Sequence, residues 1–194
     1  MGRRVGISYF LYGVYSEGQP CHERFKNFII KSQSAFVKAS LFQLLSGLQM
    51  IASEGHDTIQ GQLVELDIPQ DSQATFDAIN GYYADFKEKT IIWRETLLAQ
   101  TEWGSEPAEV YTLNPTKKDQ FRQVPPSEVV GSQLFEKLSD RHKTYICKLA
   151  KAKGREIVPV DMSLYRELMG LELIVDKGRR LALTPLGQEV SCFL

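Results

Sequence analysis

Apolar and polar positions divide the chain into two stretches of different periodicity. In the first stretch the apolar residues form short runs or alternate with polar ones, which is typical of β-strands. The predicted strands are Val5–Leu11, Ala35–Leu45, Gly61–Leu66, Lys89–Leu97 and Ala108–Leu113. We therefore expect the first stretch to form a sheet of roughly five or six strands.

Two short helices are expected among these strands. Phe25, Phe28 and Ile29 stand at helical spacing within residues 21–30. Residues 74–79 place Phe76 and Ile79 on one face, after a turn that can cap a helix. A sheet with a few short helices is an α+β arrangement.

The second stretch has helical periodicity with a hairpin near its end. A helix is predicted over residues 132–152, with a break near Ser139–Asp140, and a short one follows that Asp161 or Ser163 can cap. Two strands are predicted on either side of the tip Asp176–Arg179. Pro185 is expected in the first turn of a last helix, with Thr184 as its cap.

Residues 114–132 combine prolines with polar side chains and lack an apolar period, as interdomain linkers do. We predict two domains, residues 1–125 and residues 126–194. The fold class is α+β: a small mixed β-barrel or sheet with short helices, followed by a small domain.

Composition places the chain among ordinary globular proteins, with 43% hydrophobic and 24% charged residues. No run of eighteen apolar residues is present, so we predict no membrane segment and a cytoplasmic location. Three widely spaced cysteines and three scattered histidines lack metal-ligand spacing. Neither a metal nor a cofactor is predicted.

The net charge of −1 hides an asymmetry between the two stretches. Residues 131–194 carry 11 Lys and Arg against 8 Asp and Glu, which leaves that part mildly positive. Proteins committed to nucleic acids carry a stronger basic field, so DNA binding stays open but is not favoured.

Six segments occur in an order that resembles one known family. They are Tyr12-Gly13-Val14-Tyr15, Glu17-Gly18-Gln19-Pro20, the glycine-centred run Leu45–Ile51, Gly61–Leu66, Phe76-Asp77-Ala78-Ile79-Asn80-Gly81 and Ala108-Glu109-Val110-Tyr111. Over about residues 5–113 this order and spacing are similar to γ-glutamylcyclotransferase-like proteins. The resemblance implies a small-molecule pocket that opens at Tyr12–Tyr15.

The reaction implied by the resemblance is internal to the substrate. The free α-amine of a γ-glutamyl group attacks its own γ-carbonyl, closes 5-oxoproline and expels an amine. Backbone N–H groups on the glycine loop hold an anionic oxygen, and a carboxylate takes the ammonium proton, because only the free amine is a nucleophile.

The chain departs from the family pattern at the proton-accepting position, where Asn80 stands in place of the catalytic glutamate. An amide is not a base near neutral pH, so the catalytic residue is unknown and ordinary turnover is expected to be lost or very slow. Asp77 or Asp85 are alternative bases. Val14 and Tyr15 replace a small hydroxyl residue and a leucine, which changes the expected pocket shape.

A purely structural role for the same residues is an open alternative to ligand binding. Tyr12-Gly13 also fits a strand that ends in a turn, with the tyrosine in the core. Asn80-Gly81 also fits a helix C-terminus, where both residue types tolerate left-handed backbone angles. The predicted ligand-binding residues are Tyr12, Gly13, Val14, Tyr15 and Asn80.

The tail resembles a winged-helix module in its order of helix, basic hairpin and a last helix that starts at Leu183-Thr184-Pro185-Leu186-Gly187. The resemblance implies DNA contacts at Arg166, Lys177, Arg179 and Arg180. Only Arg166 lies in the expected recognition helix, and winged modules also contact proteins. We therefore favour a protein partner or homo-oligomer through this domain over DNA.

Three functions remain in competition. The first is a protein that binds a small γ-glutamyl or related amino compound with altered or lost catalysis. The second is a ligand-responsive DNA-binding regulator. The third is an interaction scaffold with an empty pocket.

Overall fold

A computed structural model describes residues 6–126, 133–153 and 156–194. The first residues of two predicted elements, Val5 and Ser132, lie outside this part of the chain. Two compact units are present, one formed by residues 1–44 and 48–131 and the other by residues 45–47 and 132–194.

The first unit contains one mixed sheet. Its strands are β1 (Ile7–Leu11), β2 (Ile29–Gln43), β3 (Gln49–Leu66), β4 (Ile92–Thr101), β5 (Gly104–Leu113) and β6 (Arg122–Val124). Their order is β3-β1-β5-β4-β2-β6, and β2 also pairs with β3, which closes five strands into a ring. Strands β1 and β5 run parallel and the other pairs are antiparallel. This mixed, ring-like sheet confirms the predicted α+β class.

Strands β2 and β3 form a hairpin much longer than expected. The sequence indicated only residues 61–66 of β3, because the polar run Ser53–Asp57 breaks the alternation. That run spans an irregularity in which Ala39 pairs with Asp57 while Ser40 pairs with Ala52. At Gly61 the backbone approaches β1 so closely that a Cβ atom would lie 2.4 Å from the Leu11 carbonyl oxygen.

The helices of the first unit are short. α1 covers Glu23–Lys26 and α2 covers Gln73–Ile79, and one-turn 3₁₀ helices include Gly13–Tyr15 and Ala84–Phe86. The predicted helix over residues 21–30 is too long, because Ile29 already pairs with β3 as the first residue of β2. Helical spacing of aromatic residues there reflects packing of a turn and a strand against one core.

An aromatic cluster fills the core of this unit. Ring centroids of neighbouring members lie 5.2 to 6.2 Å apart, mostly edge to face, which is the arrangement that aromatic quadrupoles favour. The members are Tyr9, Tyr12, Tyr15, Phe25, Phe76 and Tyr111. The cluster joins α1 and α2 to strands β1 and β5.

The second unit contains four helices and one hairpin among its described residues. They are α3 (Gln133–Glu136), α4 (Asp140–Lys151), α5 (Met162–Gly170), β7 (Ile174–Asp176), β8 (Leu181–Leu183) and α6 (Pro185–Cys192). The predicted break at Ser139 and the predicted caps Asp161 and Thr184 are confirmed, since each side-chain oxygen accepts a backbone N–H of its helix. No described helix combines the length and apolar character needed to cross a membrane.

A buried carboxylate in α6 holds the loop 45–47 inside this unit. Glu189 accepts the N–H groups of Leu45 and Ser46, at 2.8 and 2.7 Å, and the Ser46 hydroxyl. Its side chain is fully buried, and burial raises the pKa of this carboxyl despite the three donors. Burial therefore outweighs hydrogen bonding in setting the protonation of Glu189.

This raised pKa predicts a stability that falls as pH rises. Because the folded chain holds the Glu189 proton more tightly than the unfolded one, the contribution is complete below the ordinary value of 4.5 and is lost as pH passes the raised pKa. Glu189→Gln removes this titration. Urea unfolding of both proteins between about pH 4 and pH 8 should show the wild type losing stability relative to the variant. A relative stability that is constant or increases with pH contradicts the prediction.

Candidate functional site

The predicted glycine loop lies where β1 ends. Tyr12 has extended backbone angles, and Gly13–Tyr15 forms one 3₁₀ turn that the Tyr15 N–H closes on the Tyr12 carbonyl at 2.9 Å. Gly13 has φ +48°, a left-handed conformation that glycine adopts without strain. Gly13 is exposed, whereas the side chains of Tyr12, Val14 and Tyr15 are buried. Only the backbone of this loop is therefore open to a ligand.

Tyr12 anchors the loop to two strands. Its hydroxyl donates to the Tyr111 carbonyl of β5 at 2.8 Å and accepts the Ile51 N–H of β3 at 3.1 Å. Burial raises the pKa of this phenol, and the negative charge of Glu95 adds to the effect. Tyr12 therefore stays neutral and acts as a fixed hydrogen-bonding bridge, as the structural reading of this residue predicts.

Asn80 ends helix α2 and is followed by Gly81 with φ +79°. This geometry agrees with the helix C-terminus reading, in which glycine follows the last helical residue. The Asn80 side chain is fully buried, while Ile79 before it and Gly81 after it reach solvent.

The two ends of the Asn80 amide differ in their contacts. Nδ2 donates to the Phe76 carbonyl at 2.9 Å, which fixes the amide orientation because a carbonyl can only accept. Oδ1 is buried and has no hydrogen-bond partner among the described groups. A buried acceptor without a donor costs about 1–3 kcal/mol, so this oxygen is suited to a donor from outside the protein.

Asp77, the alternative base, is already engaged in a structural network. Its Oδ1 accepts the Tyr111 hydroxyl at 2.8 Å and the Gln73 amide at 3.2 Å, and its Oδ2 binds Arg94 Nη1 at 2.7 Å. Its side chain is 9% exposed. With these donors and the Arg94 charge, Asp77 binds α2 to β4 and β5 as a paired anion.

The partners of Asp77 extend this network over the sheet. Arg94 Nε binds Glu109 at 3.1 Å, and its guanidinium lies over the Tyr82 ring with 5.5 Å to the centroid. Gln73 also donates to the Tyr9 hydroxyl at 2.7 Å. Burial raises the pKa values of Tyr9 and Tyr111, so both phenols are neutral donors or acceptors.

Sequence reasoning missed the roles of Arg94, Glu109 and Glu95. The available signal was the presence of charged residues within two predicted strands, because a charge that is partly buried in a sheet needs a partner. Asp85, the second alternative base, lies exposed in the 3₁₀ turn Ala84–Phe86. Tyr12, Tyr15 and Tyr111 are brought together as neighbouring rings, and the Tyr111 hydroxyl continues to Asp77 one turn before Asn80.

The four cations predicted in the tail are all exposed. Lys177, Arg179 and Arg180 lie on the β7–β8 turn, whereas Arg166 lies on α5. Among the described residues no group of three or more acidic, histidine or cysteine side chains is arranged to hold a metal.

Comparison with known proteins gives structural matches only. No protein-family model matches this chain, and no curated protein matches it in sequence. The structure is similar to an AIG2-like protein from Mus musculus, with 17% identity over 61% of this chain and 86% of that chain, at a TM-score of 0.45. YkqA from Bacillus subtilis is 18% identical over 62% of this chain, at a TM-score of 0.44, and the match spans only 38% of that protein.

A further match is a protein from Arabidopsis thaliana, with 16% identity over 78% of this chain and 92% of that chain, at a TM-score of 0.42. At these identities and TM-scores, any function has to be argued from the residues of this chain itself. The winged-helix likeness of the tail and the ligand-binding role of the loop stay predictions.

The Asp77 network predicts a large loss of stability on a small change. Asp77→Asn keeps the side-chain shape but removes the negative charge that pairs with Arg94. It also places an NH₂ group, which can only donate, opposite one of the groups that donate to the Asp77 carboxylate. We expect the free energy of unfolding to fall by about 2–4 kcal/mol, measured by urea titration with tryptophan fluorescence.

The exposed Asp85→Asn is the control and should change stability by less than about 0.5 kcal/mol. Equal stability of the Asp77 variant and the wild type would show that the network contributes little to the fold.

Proposed function

We propose that the first unit binds a small γ-glutamyl or related amino compound and does not convert it to 5-oxoproline. The observation that carries this proposal is the state of Asn80, a buried amide with one free acceptor at the place where the resemblance puts a catalytic carboxylate. At this residue the proposal keeps ligand binding and removes catalysis.

Loss of turnover follows from the proton that has to move. Ring closure requires the α-ammonium to lose a proton before nitrogen attacks the γ-carbonyl. Asn80 cannot accept a proton near neutral pH. Asp77 is held by Arg94 and two neutral donors, and Asp85 is exposed, so neither replaces the missing base.

Retention of an amino compound follows from the free Asn80 oxygen. An ammonium group supplies three donors, and a charged donor makes the stronger kind of hydrogen bond. The oxygen also stands at the C-terminus of α2, where the last backbone carbonyls add negative potential that favours a cation. A ligand amine therefore fits this position better than a carboxylate does.

The exposed backbone at Gly13 is the group that we propose for the other end of such a ligand. The first N–H groups of a helical turn have no partner within the turn and can bind an anionic oxygen. An amino acid carries both charges, and a γ-glutamyl compound presents its α-ammonium and α-carboxylate together. This requirement favours amino compounds over simple amines.

We also propose that the second unit is a winged-helix-like module that contacts a protein partner or a second copy of the chain. The order α5, hairpin and α6 supports it, together with three exposed cations on the hairpin turn. A regulator that binds DNA is the second candidate function. It is weaker because Glu167 and Glu172 lie near Arg166 in sequence and reduce the positive charge of that region.

γ-Glutamylalanine provides a direct test of the first proposal. Calorimetry should show saturable binding to the wild type, and chromatography of the same mixture should show no 5-oxoproline above the protein-free control. Asn80→Leu removes the acceptor at similar volume and should weaken binding by about tenfold or more.

Asn80→Glu is the complementary variant, since it restores a carboxylate at this position, and 5-oxoproline release above the wild type is expected from it. Glu95 is a further carboxylate whose charge acts on the Tyr12 phenol of the loop. Wild-type release that is lost in Glu95→Gln would instead establish an active enzyme with this acid. A wild type that neither binds nor converts the compound contradicts the proposal.

A further inference from the structure

Strand β8 has an unpaired edge. The Lys177 N–H donates to the Arg180 carbonyl at 3.0 Å, so these residues form a hydrogen-bonded pair of the hairpin. Pairs alternate along an antiparallel ladder, and Ala182 is therefore the next residue that faces β7. The N–H and C=O groups of Leu181 and Leu183 point away from β7, and β8 pairs with no other described strand.

An apolar trough lies beside this edge. It has a volume of about 450 Å³ and lies between the β7–β8 hairpin, where Leu181 of β8 lines it, the start of α5 and residues 157–160. Ile157 and Met162 line it with 69% and 62% of their surfaces exposed. The Tyr145 hydroxyl donates to the Val158 carbonyl at 3.0 Å and holds the far wall of the trough.

The rim of the trough is positively charged. Arg179 and Arg180 line it, and Lys177 lies at the same turn. The acidic residue at this rim, Asp176, accepts the Gly178 N–H at 2.7 Å and the Tyr165 hydroxyl. Because Asp176 is occupied locally, Arg179 is the side chain best placed to meet a negative charge from a partner.

We propose that this edge and trough bind an extended, acidic segment of a partner protein as an added β-strand. The outward groups of Leu181 and Leu183 supply main-chain hydrogen bonds. Alternate apolar side chains of the segment enter the trough between Ile157 and Met162, and acidic side chains on the other face of the segment meet Arg179. The proposal is independent of the function assigned to the first unit.

Two features favour a peptide over other occupants. Short, charged edge strands are common protection against unwanted pairing, but this edge borders an exposed apolar trough, a feature typical of interaction sites. DNA phosphates are met by cations and polar groups, whereas Ile157 and Met162 offer neither. Both features are explained by a partner strand with alternating apolar and acidic positions.

The test uses a fluorescein-labelled hexapeptide of alternating valine and glutamate, blocked at both ends, in anisotropy titrations with the full chain. Saturable binding is expected. The matching valine–lysine peptide should bind about tenfold more weakly or less, and so should a valine–glutamate peptide with N-methyl groups along one edge. Equal binding of the N-methylated peptide overturns strand addition.

Two variants with the same charge change locate the site. Arg179→Glu should weaken binding of the valine–glutamate peptide by about fivefold or more. Arg166→Glu, a substitution outside the trough, should change the affinity for this peptide by less than about twofold. Absence of peptide binding overturns the proposal. So does a duplex DNA that binds where the peptide does not, or a dimer in sedimentation that forms through β8 and excludes the peptide.

Discussion

The first unit depends on one partly buried ion pair, Asp77 with Arg94, whose side chains are 9% and 25% exposed. Asp77 belongs to a helix of two turns that is too short to be stable alone, and Arg94 to a strand in the ring-like sheet. Burial of either charge without the other is strongly unfavourable, so the pair forces α2 onto β4. Tyr111 adds a hydrogen bond from β5 to the same carboxylate. The position of Asn80, one turn after Asp77, follows from this attachment.

This constraint explains why we do not propose Asp77, an acidic residue of the same helix, as a substitute base. Both of its carboxylate oxygens are engaged by Arg94, Gln73 and Tyr111, and its side chain is 9% exposed. Asn80, in contrast, donates through Nδ2 to the Phe76 carbonyl, and its Oδ1 accepts no hydrogen bond from the described groups. In our proposal the same helix thus supplies a structural carboxylate and a binding amide, and neither is a catalyst.

Much of the architecture was predictable from the chain. Alternation found most strands, the break near Ser139–Asp140 and the caps Asp161 (or Ser163) and Thr184 indicated three helix starts, and Gly13 marked the turn after β1. The first half of β3 was not predictable, because Ser53–Asp57 is polar on both faces and forms an irregular segment that only pairing with β2 defines.

The site was predictable only in part. Asn80 and the glycine loop were proposed from motif order, and a core position for Tyr12 was one interpretation of the sequence, but the burial of Tyr15 and the Asp77–Arg94 pair required the fold. Side chains that are distant in sequence meet there through strand register, and register is set by cross-strand packing rather than by local pattern. The unpaired outer edge of β8 was not predictable from the sequence for the same reason.

The most direct test of the central claim is an NMR titration of the amide-labelled protein with γ-glutamylalanine, followed in one tube. Binding without turnover predicts that the Asn80 side-chain NH₂ signals shift as the ligand is added, while the signals of 5-oxoproline do not appear. Growth of 5-oxoproline signals, or Asn80 signals that do not move at saturating ligand, would contradict the account.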